Sequence, residues 1–130
     1  MFYVYDFATS PVPRAMMLKG SGSSASQTEI KDIALGEKAD ALFFLQAYNA
    51  SQRLLDWKPN RRQPTPPVLF EYVVNYADGQ SERVPVVWSE SVSHWLQDTP
   101  QPLKGAAVAW SATPEGTQQK AVLYAMQWNN

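Results

Sequence analysis

Apolar residues in this chain gather into short runs, each bounded by Pro, Gly or polar residues, and the pattern predicts eight short strands. Residues 2–7 are aromatic and β-prone, and Pro11 and Pro13 close them off. Residues 14–19 follow, then a Gly/Ser-rich turn over 20–26. Residues 29–35 are anchored by Ile30 and Ile33 and broken by Gly36. Residues 41–47 read ALFFLQA, apolar on both faces, which predicts a central strand between two layers. Periodicity alone leaves a helical turn open there. Residues 68–76 and 80–88 flank Ala77-Asp78-Gly79 as a hairpin. Residues 105–111 form a strand of small residues around Val108 and Trp110, and 119–128 alternate through Val122, Tyr124, Met126 and Trp128. Two long polar loops remain, 48–67 and 89–104. No internal repeat is present.

The hairpin allows two registers. A two-residue type I′ turn pairs Ala77 with Gln80, which sets Tyr72 against Pro85 and Val74 against Arg83. A three-residue loop with Gly79 left-handed pairs Tyr76 with Gln80, Tyr72 with Val84, Phe70 with Val86 and Val68 with Trp88. The second brings apolar residues together and is the expected one, because the buried face sets register. It leaves Glu71 and Arg83 diagonal on the outer face, where they attract. It also puts Glu71 and Glu82 on opposite faces.

If consecutive strands run antiparallel across the domain, alternate connections share an end. Segments 20–28, 48–67 and 89–104 then form one rim, and the turns 77–80 and 112–118 the other. Trp57, Arg53, Arg61, Arg62, His94 and Trp95 converge on the long-loop rim, where a binding site is expected.

Composition narrows the chemistry. The 130 residues, one domain's worth, contain no Cys and one His, His94. Disulfides, thiolate zinc sites, cysteine nucleophiles and a histidine-rich metal centre are excluded. Five Trp, six Tyr, ten Pro and only 18% charged residues lean towards all-β. A net charge of -1 with mixed signs carries no footprint for nucleic acid, and Arg61-Arg62 is too short a basic run to supply one. Residues 1–7 lack the basic and apolar regions of a signal peptide, and the longest apolar run is too short to span a bilayer. An internal piece of a larger secreted protein has the same features.

KADALFFLQA (38–47), YVVNYADGQSERVPV (72–86), SVSHWL (91–96), AAVAW (106–110) and LYAMQWNN (123–130) occur in that order. Together with the opening FYVYDF and MMLKG, they resemble a galactose-binding-like β-sandwich accessory domain of large bacterial carbohydrate-active proteins. The resemblance covers most of the chain. It implies an all-β, jelly-roll β-sandwich of about eight antiparallel strands spanning residues 1–130. It also implies carbohydrate binding or packing beside a catalytic module, in an extracellular or periplasmic multidomain protein. Such domains run on from the Trp-x-Asn end into Pro and another strand, whereas this chain stops at Asn130. The expectation is a fragment lacking a C-terminal closing strand, with a sheet edge left unpaired.

Within that frame Trp57 is the leading candidate, an indole among polar residues that can stack on a sugar ring while Arg and Asp take hydroxyls. The bland alternative is that it pins its loop onto the sandwich. Tyr48, Arg61, Arg62, His94 and Trp95 complete the candidate set. Trp95 serves as a rim platform or, the preferred reading, plugs the sandwich end. Trp88, Trp110 and Trp128 are in phase with apolar neighbours and are expected to be buried or half-buried. A triad of His94 with Ser91 or Ser93 and Asp98 has no nucleophile elbow to support it, so His94 is expected to be a hydrogen-bonded loop residue. Asp56, Glu90 and Asp98 could converge as acids, yet twelve acids against eleven bases read as solvated charge. The domain is therefore expected to be non-catalytic. No cofactor is expected. The resemblance leaves room for a structural calcium ion, with Asp32, Glu37 and Asp40 as weak ligand candidates that match no known loop. Asn49-Ala50-Ser51 is a glycosylation sequon, relevant only in a eukaryotic secreted host. The expected partner is a polysaccharide or a neighbouring catalytic domain, without nucleic acid or membrane.

Overall fold

The computed structural model describes residues 16–19 and 27–130. The chain divides into two compact units, residues 1–36 and 37–130.

In the first unit, Lys19 N donates to Gln27 O at 2.6 Å and Gln27 Nε2 to Met17 O at 3.0 Å. The strand predicted at 29–35 does not form. Asp32 has a φ of 60° and Gly36 one of 66°, both left-handed and incompatible with a continuous pleat. The anchors Ile30 and Ile33 are three apart, so a strand would turn them to opposite faces. The strand predicted at 2–7, the turn at 20–26 and the start of 14–19 lie outside the described residues; 16–19 carry no strand.

The second unit is all-β, with six strands among the described residues and one helical turn. In chain order they are β1 (Ala41–Gln46), α1 (Gln52–Leu55), β2 (Val68–Asn75), β3 (Ser81–Val87), β4 (Leu96–Gln97), β5 (Ala107–Ala112) and β6 (Lys120–Asn129). β2 and β3 form one antiparallel sheet, and β1, β4 and β5 assemble on β6 as a second, four-stranded sheet. Ala125 pairs with Leu45 and Ala107, while Ala121 pairs with Leu96 and Ala112. β1 and β4 therefore lie in tandem along one side of β6, and β5 occupies the other.

The two sheets meet across a core of Val84 and Val86 from β3, Val122, Tyr124 and Met126 from β6, and Val92 and Ala106 from the connection between β3 and β5. Phe44 of β1 stacks on Tyr72 of β2 with centroids 3.9 Å apart. Burying each such Val or aromatic side chain contributes about 1.5–3 kcal/mol. The Tyr124 hydroxyl accepts from Gln97 Nε2 at 2.8 Å and donates to Gln101 O at 3.4 Å, anchoring the connection that carries the chain from β4 to β5.

The hairpin has the three-residue turn. Tyr76 N donates to Gln80 O at 2.9 Å, Gly79 has a φ of 86°, and Tyr72 faces Val84 as Phe70 faces Val86. Arg83 Nη1 meets Glu71 Oε2 at 2.6 Å on the outer face. At the far end the expectation needs correction: Val68 pairs with Val87, not Trp88, because the register shifts between Val68 and Phe70. Trp88 N instead donates to Pro67 O at 3.0 Å.

Three further expectations are corrected. β1 is not buried on both faces: Leu42, Phe44 and Gln46 turn inward, while Phe43 and Leu45 are 54% and 64% exposed. Trp110 is not core but 53% exposed. Val108 pairs with the inward Tyr124, whereas Trp110 pairs with Leu123, so the irregularity at Ala109 moves Trp110 to the other face. Trp88 is buried and Trp128 half-buried, as expected. Finally, the turns 77–80 and 112–118 lie at opposite ends. Tyr76 Oη donates to Asn130 Oδ1 at 2.9 Å beside the end of β6, while residues 113–119 lead into its start. β4 and β5 both run antiparallel to β6, so the connection between them, 98–106, returns along the sheet and breaks the strict alternation on which the shared rim was based.

Candidate functional site

The site is built where β1 ends. Tyr48 forms a bridge with His94, and Trp95 N donates to Tyr48 O at 2.9 Å. The two long loops thus converge, as the sequence predicted. Ala50 N then donates to His94 Nδ1 at 3.1 Å. Ser51 caps the one-turn helix α1 with its hydroxyl accepting from Leu54 N at 3.4 Å. This turn was missed from sequence, although a Ser before Gln-Arg-Leu-Leu is an N-terminal signal. Trp57 N donates to Leu54 O at 3.1 Å, which sets the indole directly after the helix. Beyond it, Asn60 N donates to Gln63 O at 3.1 Å, and Asn60 Oδ1 accepts from Arg62 N and Gln63 N, each at 3.0 Å. Arg61 and Arg62 therefore occupy the tip of a closed turn. Pro66 and Pro67 return the chain to β2.

These segments enclose an open cleft of about 260 Å³ lined by Tyr48, Ser51, Arg53, Leu54, Trp57 and Gln63, with Pro67 and Leu69 at its base. Of the sequence-predicted residues, Trp57 and Tyr48 line it. Arg61 and Arg62 are exposed beside it, next to the lining residue Gln63. His94 stands behind it and holds the loop through Ala50, with burial as the cause of a lowered imidazole pKa. Trp95 does not plug the sandwich: it is 36% exposed, and its contribution to the site is the backbone bond to Tyr48. Arg53, placed on the rim by sequence, lines the cleft, whereas Ser51 and Gln63 were not anticipated because only the folded turn and helix bring them to the indole.

Two features give the cleft chemical direction. Its one charged lining group is the Arg53 guanidinium, and no carboxylate faces it. Trp57 Nε1–H is buried with no hydrogen-bond partner, an arrangement that costs about 1–3 kcal/mol.

A triad is not assembled at His94. Ser91 is buried and its hydroxyl accepts from Val87 N at 3.2 Å, while Asp98 accepts from Gln119 Nε2 at 3.2 Å. Among the described residues, no group of three His, Asp or Glu side chains gathers as a metal site, and no helix is long and apolar enough to cross a membrane. A second concavity of about 340 Å³ lies on the other side of the four-stranded sheet, between Phe43, Lys104 and Gln127, floored by alanines.

Compared with family models, curated proteins and solved structures, the chain matches none.

Proposed function

We propose that this chain is a non-catalytic carbohydrate-binding accessory domain of a larger, extracellular or periplasmic polysaccharide-processing protein, with a galactose-binding-like jelly-roll sandwich as its scaffold. The observation that carries this reading is the cleft in which Trp57 and Tyr48 meet the donors of Arg53, Ser51 and Gln63. Aromatic rings offer an apolar surface to a sugar ring, and the surrounding polar groups take its hydroxyls. Single-site affinity is modest and gains by avidity beside a catalytic module. The test is a tryptophan-fluorescence melt of the 130-residue chain with a panel of polysaccharides. A ligand present at a hundred times its Kd stabilises the native state by about 2.7 kcal/mol. One polysaccharide should raise the midpoint of the parent and not that of Trp57→Ala; no shift with any of them overturns the reading.

A second reading is a packing domain that binds no sugar. It is favoured by the outer face of the four-stranded sheet, where the exposed Leu45 and Trp110 flank Leu123 and Ala125. Under that reading Trp110, not Trp57, anchors the contact.

A further inference from the structure

The charge around the cleft points to the class of sugar, and this step rests on the binding reading above. The chain as a whole has a net charge of -1, yet residues 52–63 carry four cations, Arg53, Lys58, Arg61 and Arg62, against one carboxylate, Asp56. None of the four forms an ion pair among the described residues, whereas Arg83 and Lys104 elsewhere are matched with Glu71 and Glu90. Asp56 is engaged by Gln52 Nε2 at 3.0 Å. The hydrogen-bonded turn at 60–63 holds Arg61 and Arg62 two residues and one residue, respectively, from the cleft wall at Gln63. Arg53 lines the cleft itself, together with Trp57 and Tyr48. A neutral sugar offers these groups hydroxyls alone. A carboxylate or sulfate ester offers a two-pronged acceptor that a guanidinium matches and the charge that an uncompensated basic loop attracts.

We propose that the cleft selects an anionic glycan: one acidic sugar sits against Trp57 with its anionic group on Arg53, and acidic groups further along the chain meet Arg61 and Arg62. Calorimetric titration of the full chain tests this with four probes: polygalacturonate for carboxylates, a sulfated galactan for sulfate esters, a neutral β-1,4-galactan, and a single-stranded oligonucleotide. At least one acidic glycan should bind about tenfold or more tightly than the neutral one, and which of the two does so identifies the anion. Its affinity should fall roughly tenfold or more between 20 and 200 mM salt. Arg53→Gln should weaken it about tenfold, Arg61→Gln with Arg62→Gln about fivefold and with a shallower salt dependence, and Arg83→Gln not at all. Thermal melts of each variant confirm folding. Equal binding of the neutral galactan overturns the proposal and leaves the sugar-binding reading intact. Binding of no glycan overturns both. An oligonucleotide bound as tightly, with Trp57→Ala without effect, overturns it in favour of undirected attraction to polyanions.

Discussion

The Tyr72 hydroxyl, on the two-stranded sheet, donates to Oε1 of Gln46, on the four-stranded sheet, at 3.0 Å. Gln46 is buried, and its Nε2 donates to Ser91 O at 3.0 Å. One amide thus ties both sheets and the connection that carries His94. Its position in β1 follows Leu42 and Phe44 on the covered face. Gln46→Leu fills similar space but leaves the Tyr72 hydroxyl and the Ser91 carbonyl without partners. The expected loss is about 2–4 kcal/mol, against about 1–2 kcal/mol for Tyr72→Phe, read from urea midpoints at pH 7.

Burial also raises the Tyr72 pKa from 10.0 to about 12. A folded-state value above the unfolded one means that the contribution is complete below pH 10 and is lost as pH rises towards 12. The parent should therefore lose up to about 2 kcal/mol more than Tyr72→Phe between pH 9 and pH 12. Equal losses in paired urea titrations would show that the phenol is solvated.

His94 titrates in the other direction. Burial lowers its pKa below 6.5, and its Nδ1 is occupied by Ala50 N–H. A depressed folded-state value gives stability that is present above pH 6.5 and is lost as pH falls through the folded pKa. His94→Asn keeps an acceptor and cannot protonate. The parent should thus lose more stability than this variant on acidification from pH 7 to pH 5, as measured by the denaturation midpoint.

Gly79 holds the hairpin turn at a φ of 86°, with open space where a Cβ would stand. Gly79→Ala should cost about 1 kcal/mol through backbone strain alone. Gly79→Asn should cost less, since Asn tolerates the left-handed region.

The five tryptophans should separate sharply in a stability scan. Trp88, 6% exposed, packs near Tyr48, with ring centroids 6.3 Å apart. Trp88→Ala should cost about 3–5 kcal/mol. Trp110→Ala should cost under about 1 kcal/mol in the isolated chain. A large loss at Trp110 would mean that the outer sheet face is covered in solution.

Turn chemistry and strict alternation are local properties, and they were legible in the residues. Asp78-Gly79 between two alternating runs specified the hairpin, and the alignment of apolar residues across it chose the left-handed Gly79 and the Tyr72–Val84 register. Val122, Tyr124 and Met126 at every second position specified the inward face of β6. The meeting of the 48–67 and 89–104 loops also followed, because the β2–β3 hairpin between them returns the chain to the same end. Other features depend on partners distant in sequence. ALFFLQA is apolar on both faces, and only the placement of β2 and β3 over one side decided which face is covered. Trp110 and Val108 share a phase in sequence, and pairing with β6 separated them through an irregularity at Ala109. β4 is two residues long, too short to leave a pattern, yet the return of the chain from it to the far end of β5 decided which turns share an end. Arg53 joined Trp57 in the cleft, while Arg61 and Arg62 went to a turn tip, because one helical turn and one asparagine-capped turn fold the loop back on itself. Alternation repeats within a strand and can be counted there. Coverage, bulges and loop closure are set by the surface a segment packs against, and that surface exists only once the sheets have met.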